Sequence, residues 1–216
     1  MPDTNNVRSM PPISSHDRIL MAAKRLFAHN GYENTSTVAI VREAGTSESQ
    51  LMKHFGSKRG LLSVILDHGW NSITERVQTV PASAPPADRL FSVLEALVTE
   101  LESDFDLRNL MVLETGRVRK DNRDVIVSQG FQQFAEVIDR ILGEMSDQGH
   151  IPPDLNLEAV RAAFIGMTSG LLRHQVLAER SEFRASYGSE DLKKALGTMI
   201  SSFSGVRLHH LKAVHS

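Results

Sequence analysis

The chain has 216 residues with 24 Lys+Arg against 26 Asp+Glu, a formal net charge of -2 with its nine histidines neutral. Hydrophobic residues make up 41% and charged residues 23%, the balance of a globular chain long enough to bury its own core, and the complete lack of cysteine excludes disulfides, cysteine-ligated zinc, iron–sulfur clusters and thiol catalysis. The longest uncharged apolar-leaning stretches, Ala162–Leu172 and Ala195–Val206, fall far short of the ~20 residues of a membrane span, and 1–14 holds no continuous apolar run of a secretory signal, so the expected location is the cytoplasm with no membrane partner.

Apolar residues recur at helical spacing between sparse Gly and Pro positions, which predicts an all-α fold of about nine helices. The first helix spans about Ser15–Asn30, with Ile19, Ala22, Ala23, Leu26 and Phe27 on one face, Ser14 or Ser15 as cap and Gly31 as terminator. A short second helix covers about Thr37–Ala44 and ends at Gly45. Ser47 caps a third, through about His54, anchored by Leu51 and Phe55. Ser57 caps a long fourth helix whose inner stripe is Leu62, Leu66, Trp70, Ile73 and Val77. Pro81–Ala87 ends it as a stiff linker. Beyond lie helices at about Asp88–Ser103, Asp106–Arg119, Arg123–Asp147, Asn156–Ala178 and Ser189–Leu211. The expected organisation is a flexible tail over 1–14, a three-helix domain over 15–62, and a larger helical domain over 63–216, with 63–80 as the connecting helix.

Charge is unevenly spread. Residues 1–62 hold eight Lys/Arg against five Asp/Glu, whereas the remainder is acidic, so an anionic partner is expected for the first part only. Helix two, the Gly45 turn and helix three form a helix-turn-helix pattern, in which the second helix enters the major groove. Helix three exposes Glu48, Ser49, Gln50, Lys53 and His54. Gln can contact adenine bidentately, and Ser, Lys and His reach bases or phosphates. Thr35 and Thr37 lie near the start of helix two, where free N–H groups suit a phosphate, and Lys58 stands at the first turn of helix four, a second phosphate position.

From Arg18 to Leu66 the sequence closely resembles the N-terminal domain of the tetracycline-repressor (TetR) family. The resemblance is carried by Ala22-Ala23, Leu26-Phe27, Gly31-Tyr32, Thr35-Ser36, Ile40, Ala44-Gly45, Ser47, Leu51, His54-Phe55, Ser57-Lys58 and Leu61-Leu62. It implies a transcriptional regulator, most often a repressor, that binds a palindromic double-stranded operator as a homodimer and is released by a small, hydrophobic effector. The DNA-binding set it implies is Thr35, Thr37, Ser47, Ser49, Gln50, Met52, Lys53, His54 and Lys58. Two positions depart from the family pattern. Met52 stands where an aromatic, usually Tyr, is common, and it cannot donate a hydrogen bond. Glu48 stands where basic or neutral residues are usual; it either accepts from a cytosine amino group or favours the positive end of helix three.

In the larger domain, polar interruptions of apolar stripes and aromatics at helical spacing give a candidate ligand set of Trp70, Met111, Glu114, Phe131, Phe134, Phe164, Met167 and His174. Glu114 is expected to pair with Arg108 or Arg117, or to face a cavity. The candidate dimer interface comprises Phe164, Gly166, Gly170 and Leu171 with Leu196, Met199, Phe203 and Val206, a bundle pattern on the last two helices. An activator of the same family is one alternative; a helical dimeric adaptor without specific DNA binding is another. For an enzyme, the chain offers no glycine-rich phosphate loop, GxSxG, HExxH or DxDxDG motif. His209, His210 and His215 make a poor metal set, because adjacent helical side chains diverge by ~100°. No catalytic residue, metal site or cofactor is expected.

Overall fold

The computed structural model describes residues 13–114, 127–180 and 187–204, and among them every regular element is helical. The helices are α1 (Ser15–Asn30), α2 (Thr37–Glu43), α3 (Glu48–Phe55), α4 (Lys58–Gln78), α5 (Pro86–Ser103), α6 (Phe105–Asn109), a π turn (Leu110–Glu114), α7 (Gln129–Asp147), α8 (Leu157–Arg180) and α9 (Ser189–Ser204). Among the described residues no helix is long and apolar enough to cross a membrane. The chain divides into two compact units, one up to Leu62 and one from Ser63 onward.

In the first unit each helix is started by a serine hydroxyl. Ser14, Ser36 and Ser47 accept from the backbone N–H of Asp17, Ala39 and Gln50, and Ser57 accepts from Gly60 at 2.9 Å. The α2–α3 turn is a complete Schellman motif. Thr46 N–H donates to Val41 O (2.9 Å) and Gly45 N–H to Arg42 O (3.3 Å), and Gly45 takes φ +59°, which side-chain-bearing residues rarely adopt. The three helices contact one another pairwise and close over Ile19, Ala23, Phe27, Ile40 and Leu51, each at most 1% exposed.

In the second unit α5 is central. It packs against α6, α7 and α9, and Leu90, Phe91, Val93, Leu94, Val98 and Leu101 are all buried. Such burial on several faces, at roughly 25 cal/mol per Å² of apolar area, is the main stabilising contribution here. The expected helix from Arg123 instead begins at Gln129, where Ser128 caps it by accepting from Phe131 N–H. Its first turn also donates Gly130 N–H to the Asp67 carboxylate at 2.6 Å. A β-carbon at Gly130 would lie 3.0 Å from both Asp67 O and Trp70 Cβ, so α7 starts this close to α4 only because that residue is glycine. The expected helix over Asp106–Arg119 is α6 followed by the π turn, and its residues after Glu114 lie outside the described residues.

Candidate functional site

The candidate nucleic-acid face is built on α3. Leu51 and Phe55 pin it inward, at 0% and 8% exposure. Ser47, Glu48, Ser49, Met52, Lys53 and His54 are exposed, and Gln50 is half-buried. Ser47 is occupied by capping and by a 2.9 Å hydrogen bond with Ser49. Glu48 accepts from Thr37 Oγ1 at 2.6 Å, joining the first turn of α3 to that of α2. The sequence alternatives for Glu48 did not include this tie, which holds the two helices of the motif in register. His54 Nε2 lies 3.0 Å from Ser15 Oγ, and its ring meets His16 edge-on at 5.5 Å.

Two residues expected at phosphates are engaged within the chain. Thr35 is 2% exposed, and its one hydroxyl proton is shared between Gly31 O (2.9 Å) and Leu26 O (3.2 Å), so the side chain closes the α1–α2 loop. Lys58 is half-buried. Its Nζ donates to Tyr32 O (2.8 Å) and Thr35 O (2.9 Å) and sits 4.2 Å from the Tyr32 ring centroid. A single ammonium already committed to two carbonyls and a π face is a structural tie of the same loop. In both places a residue type suited to phosphate is equally suited to orphan carbonyls.

Sequence reasoning missed Arg18 and His16. Arg18 forks across the motif, donating Nε to Ala44 O (2.9 Å), Nη1 to Ile13 O (3.0 Å) and Nη2 to Gly45 O (3.4 Å). It thereby caps the C-terminus of α2, where a cation also opposes the helix dipole favourably. His16 stacks on Phe55 at 4.8 Å. No local spacing marks either residue, because both act on chain segments remote in sequence.

The second unit contains a cavity of about 440 Å³, inside the ~300–1,000 Å³ range of small-molecule sites. Its walls come from Leu66 and Trp70 on α4, Leu97 and Leu101 on α5, and Met111 and Val112 in the π turn. Val127, Ser128 and Phe131 at the start of α7, and Ile165, Gly166, Ser169, Gly170, Leu172 and Arg173 on α8, complete it. Of the expected ligand residues, Trp70, Met111 and Phe131 meet here. Phe134 does not; it is 1% exposed and packs beneath Trp70, ring centroids 4.8 Å apart. Phe164 and Met167 instead line a separate apolar recess of about 30 Å³ among α5, α7, α8 and α9, room for one water-sized body. His174 is exposed on α8, off the cavity lining. The Glu114 side chain lies outside the described residues, and Arg108, its expected partner, pairs with Glu179 at 2.5 Å.

The candidate dimer residues divide. Leu196 and Phe164 are buried within their own chain, at 1% and 5% exposure, so neither has area left for a partner. The inward stripe of α9 is Leu192, Leu196 and Ile200, stepping by four, because the helix packs on α5. Leu171 is half-buried. Gly166, Gly170 and Met199 are exposed, the two glycines also forming cavity wall. The Phe203 side chain and Val206 lie outside the described residues.

Residues 19–65 match the family model described as bacterial regulatory proteins, tetR family. The HTH-type transcriptional regulator UidR of Escherichia coli K12 is 23% identical over 189 residues, covering 86% of this chain and 92% of UidR. Among solved structures, the fatty acid degradation regulator FadR of Bacillus halodurans superposes with TM-score 0.74 at 17% identity, covering 93% of this chain and 99% of FadR. The transcriptional regulator FadR of Bacillus subtilis, solved in complex with stearoyl-CoA, gives TM-score 0.72 at 20% identity, covering 89% and 100%.

Proposed function

We propose, for a chain that belongs to the tetR family of bacterial regulatory proteins, that it represses transcription by binding a palindromic operator as a homodimer and leaves that operator when a small hydrophobic molecule binds its C-terminal domain. The observation that carries the reading is α3: a short helix fixed at both ends and on its inner face, presenting Ser49, Gln50, Met52, Lys53 and His54 outward from a unit with net positive charge. Gln50 and Met52 are assigned base contacts, Met52 against a thymine methyl. Lys53 and His54 are assigned the phosphates and outer base edges. One such helix reads few base pairs, so a two-fold dimer addressing half-sites ~34 Å apart supplies the specificity.

The effector reading is supported by the cavity and by its walls of Leu, Trp, Met and Phe side chains. Leu66 and Trp70 stand on α4, the helix whose first turn belongs to the N-terminal unit. A ligand that prefers one position of α4 shifts the population between DNA-competent and incompetent states, by no more than its differential affinity for the two. The test is fluorescence anisotropy of the full chain on labelled DNA from upstream of its own coding sequence, against a scrambled duplex, at two salt concentrations. The expected result is a preference of ~1,000-fold or more with steep salt dependence. Equal, weak binding to both duplexes and to genome-selected fragments would leave the adaptor reading in its place.

A further inference from the structure

Among the described residues lining the cavity, Arg173 is the one that carries a formal charge. We infer that Arg173 anchors the headgroup of a singly anionic, elongated effector, whose apolar body lies along Trp70, Phe131, Leu97 and Leu101. This inference rests on the reading of the cavity as the effector site.

The guanidinium is held at the wall. Its Nη2 donates to Val112 O at 3.2 Å, and Val112 belongs to the π turn and itself lines the cavity. Such turns are rare and frequent at functional sites. Arginine has five N–H donors in a fixed fork, so a head oriented by one carbonyl still matches a carboxylate bidentately. The other polar side-chain groups of the lining, Ser128, Ser169 and the Trp70 indole N–H, are neutral, and Ser128 Oγ is already engaged as the α7 cap. One cation balances one negative charge. A polyphosphate would therefore have no second partner on this lining.

The wall beside Arg173 is shaped for a long body. Gly166, Ser169, Gly170 and Arg173 follow the i, i+3, i+4, i+7 pattern of one helix face, reaching ~10 Å along the axis. Glycine inside a helix is unfavourable relative to alanine, and it usually has a packing reason. Here a β-carbon at either glycine would meet nothing within 4 Å, so the packing of this chain does not require them. What they do provide is depth in the wall leading away from the cation.

The test uses Trp70, the only tryptophan in the chain, which lines the cavity and packs against Phe131 and Phe134. The full chain is titrated with saturated carboxylates from octanoate to tetradecanoate, and with their methyl esters and the alcohols of equal length, reading Trp70 emission. The carboxylates are expected to bind ~10- to 100-fold more tightly than the esters, the range a charge-assisted hydrogen bond supplies. Arg173→Gln removes that preference and leaves alcohol binding in place, while Arg173→Lys keeps part of it. Should Arg173→Gln not fold by circular dichroism, Arg173→Lys and the wild-type acid-to-ester ratio decide. Equal binding of acid and ester, an undiminished preference in Arg173→Gln, or no response to the whole series overturns the inference. Operator binding on the same preparation separates the two levels. Intact operator binding without acid preference removes only the Arg173 assignment. Acid preference without operator binding removes the regulator reading and leaves Arg173 standing.

Discussion

Replacing Lys58 distinguishes a residue that holds the fold from one that holds DNA. Its ammonium makes two hydrogen bonds, to Tyr32 O and Thr35 O, and a cation–π contact with Tyr32. Charge-assisted hydrogen bonds contribute ~1.5–3 kcal/mol each, and a cation–π contact near the surface ~0.5–1 kcal/mol. Lys58 is half-buried, and one donor group serves all three contacts, so the cost falls below the ~3.5 kcal/mol low end of their sum, to ~2–3 kcal/mol for Lys58→Ala. In a domain of this size that lowers the melting temperature by ~10–20 °C. The assay is thermal unfolding of the full chain by circular dichroism, paired with operator binding across a salt series at a temperature where the variant is folded. Lys58→Met, which keeps the aliphatic stem, should recover a minor part of the loss. A lysine whose main work is a phosphate contact would behave otherwise: the melt would stay put, and the salt slope of binding would fall by ~1. An unchanged melt with that reduced slope would refute the structural assignment.

Other perturbations probe the remaining assignments. Thr35→Val keeps the volume but removes the hydroxyl that joins Gly31 O in the loop to Leu26 O on α1, so the chain loses ~1–2 kcal/mol in denaturant unfolding while the folded fraction binds operator as before. Gln50→Ala relaxes preference at a single base position by ~1–3 kcal/mol, read by anisotropy on operator variants, with stability unchanged. Gly166→Leu projects into open space, so it preserves or raises the melting temperature and weakens binding of the longest carboxylates in the Trp70 titration.

Local chemistry was legible in the sequence, and distant chemistry was not. The serine caps, the Gly31 and Gly45 stops and the inward anchors Leu51 and Phe55 depend on neighbours within a turn or two, so spacing reveals them. Arg18, Lys58 and the Thr37–Glu48 tie depend on which segments the fold brings together, and nothing in their own neighbourhoods announces it. The cavity was legible only in part for a similar reason. Trp70, Met111 and Phe131 could be proposed because large side chains mark apolar faces, but Phe134 shares that marking and lies underneath. Arg173 reads as an ordinary exposed charge, and Gly166 and Gly170 matter by the side chains they lack. On α9 the buried row is Leu192, Leu196 and Ile200, turned toward α5, while Met199 stays exposed, a division set by which helix α9 packs on.

The π turn at Leu110–Glu114 has a genetic consequence. A π turn accommodates one residue more than the regular helix around it, so deletion of a single codon there leaves a backbone that still closes as α-helix. Because the extra residue is absorbed as a local bulge, such a deletion would leave the flanking residues near their present facing and re-aim those of the turn itself. Met111 and Val112 would change facing relative to Leu107 on α6, without any substitution in the wall itself. Insertion or loss of one codon at this point is therefore a route by which related chains can re-aim one side of the cavity in a single step, leaving the three helices of the N-terminal unit untouched.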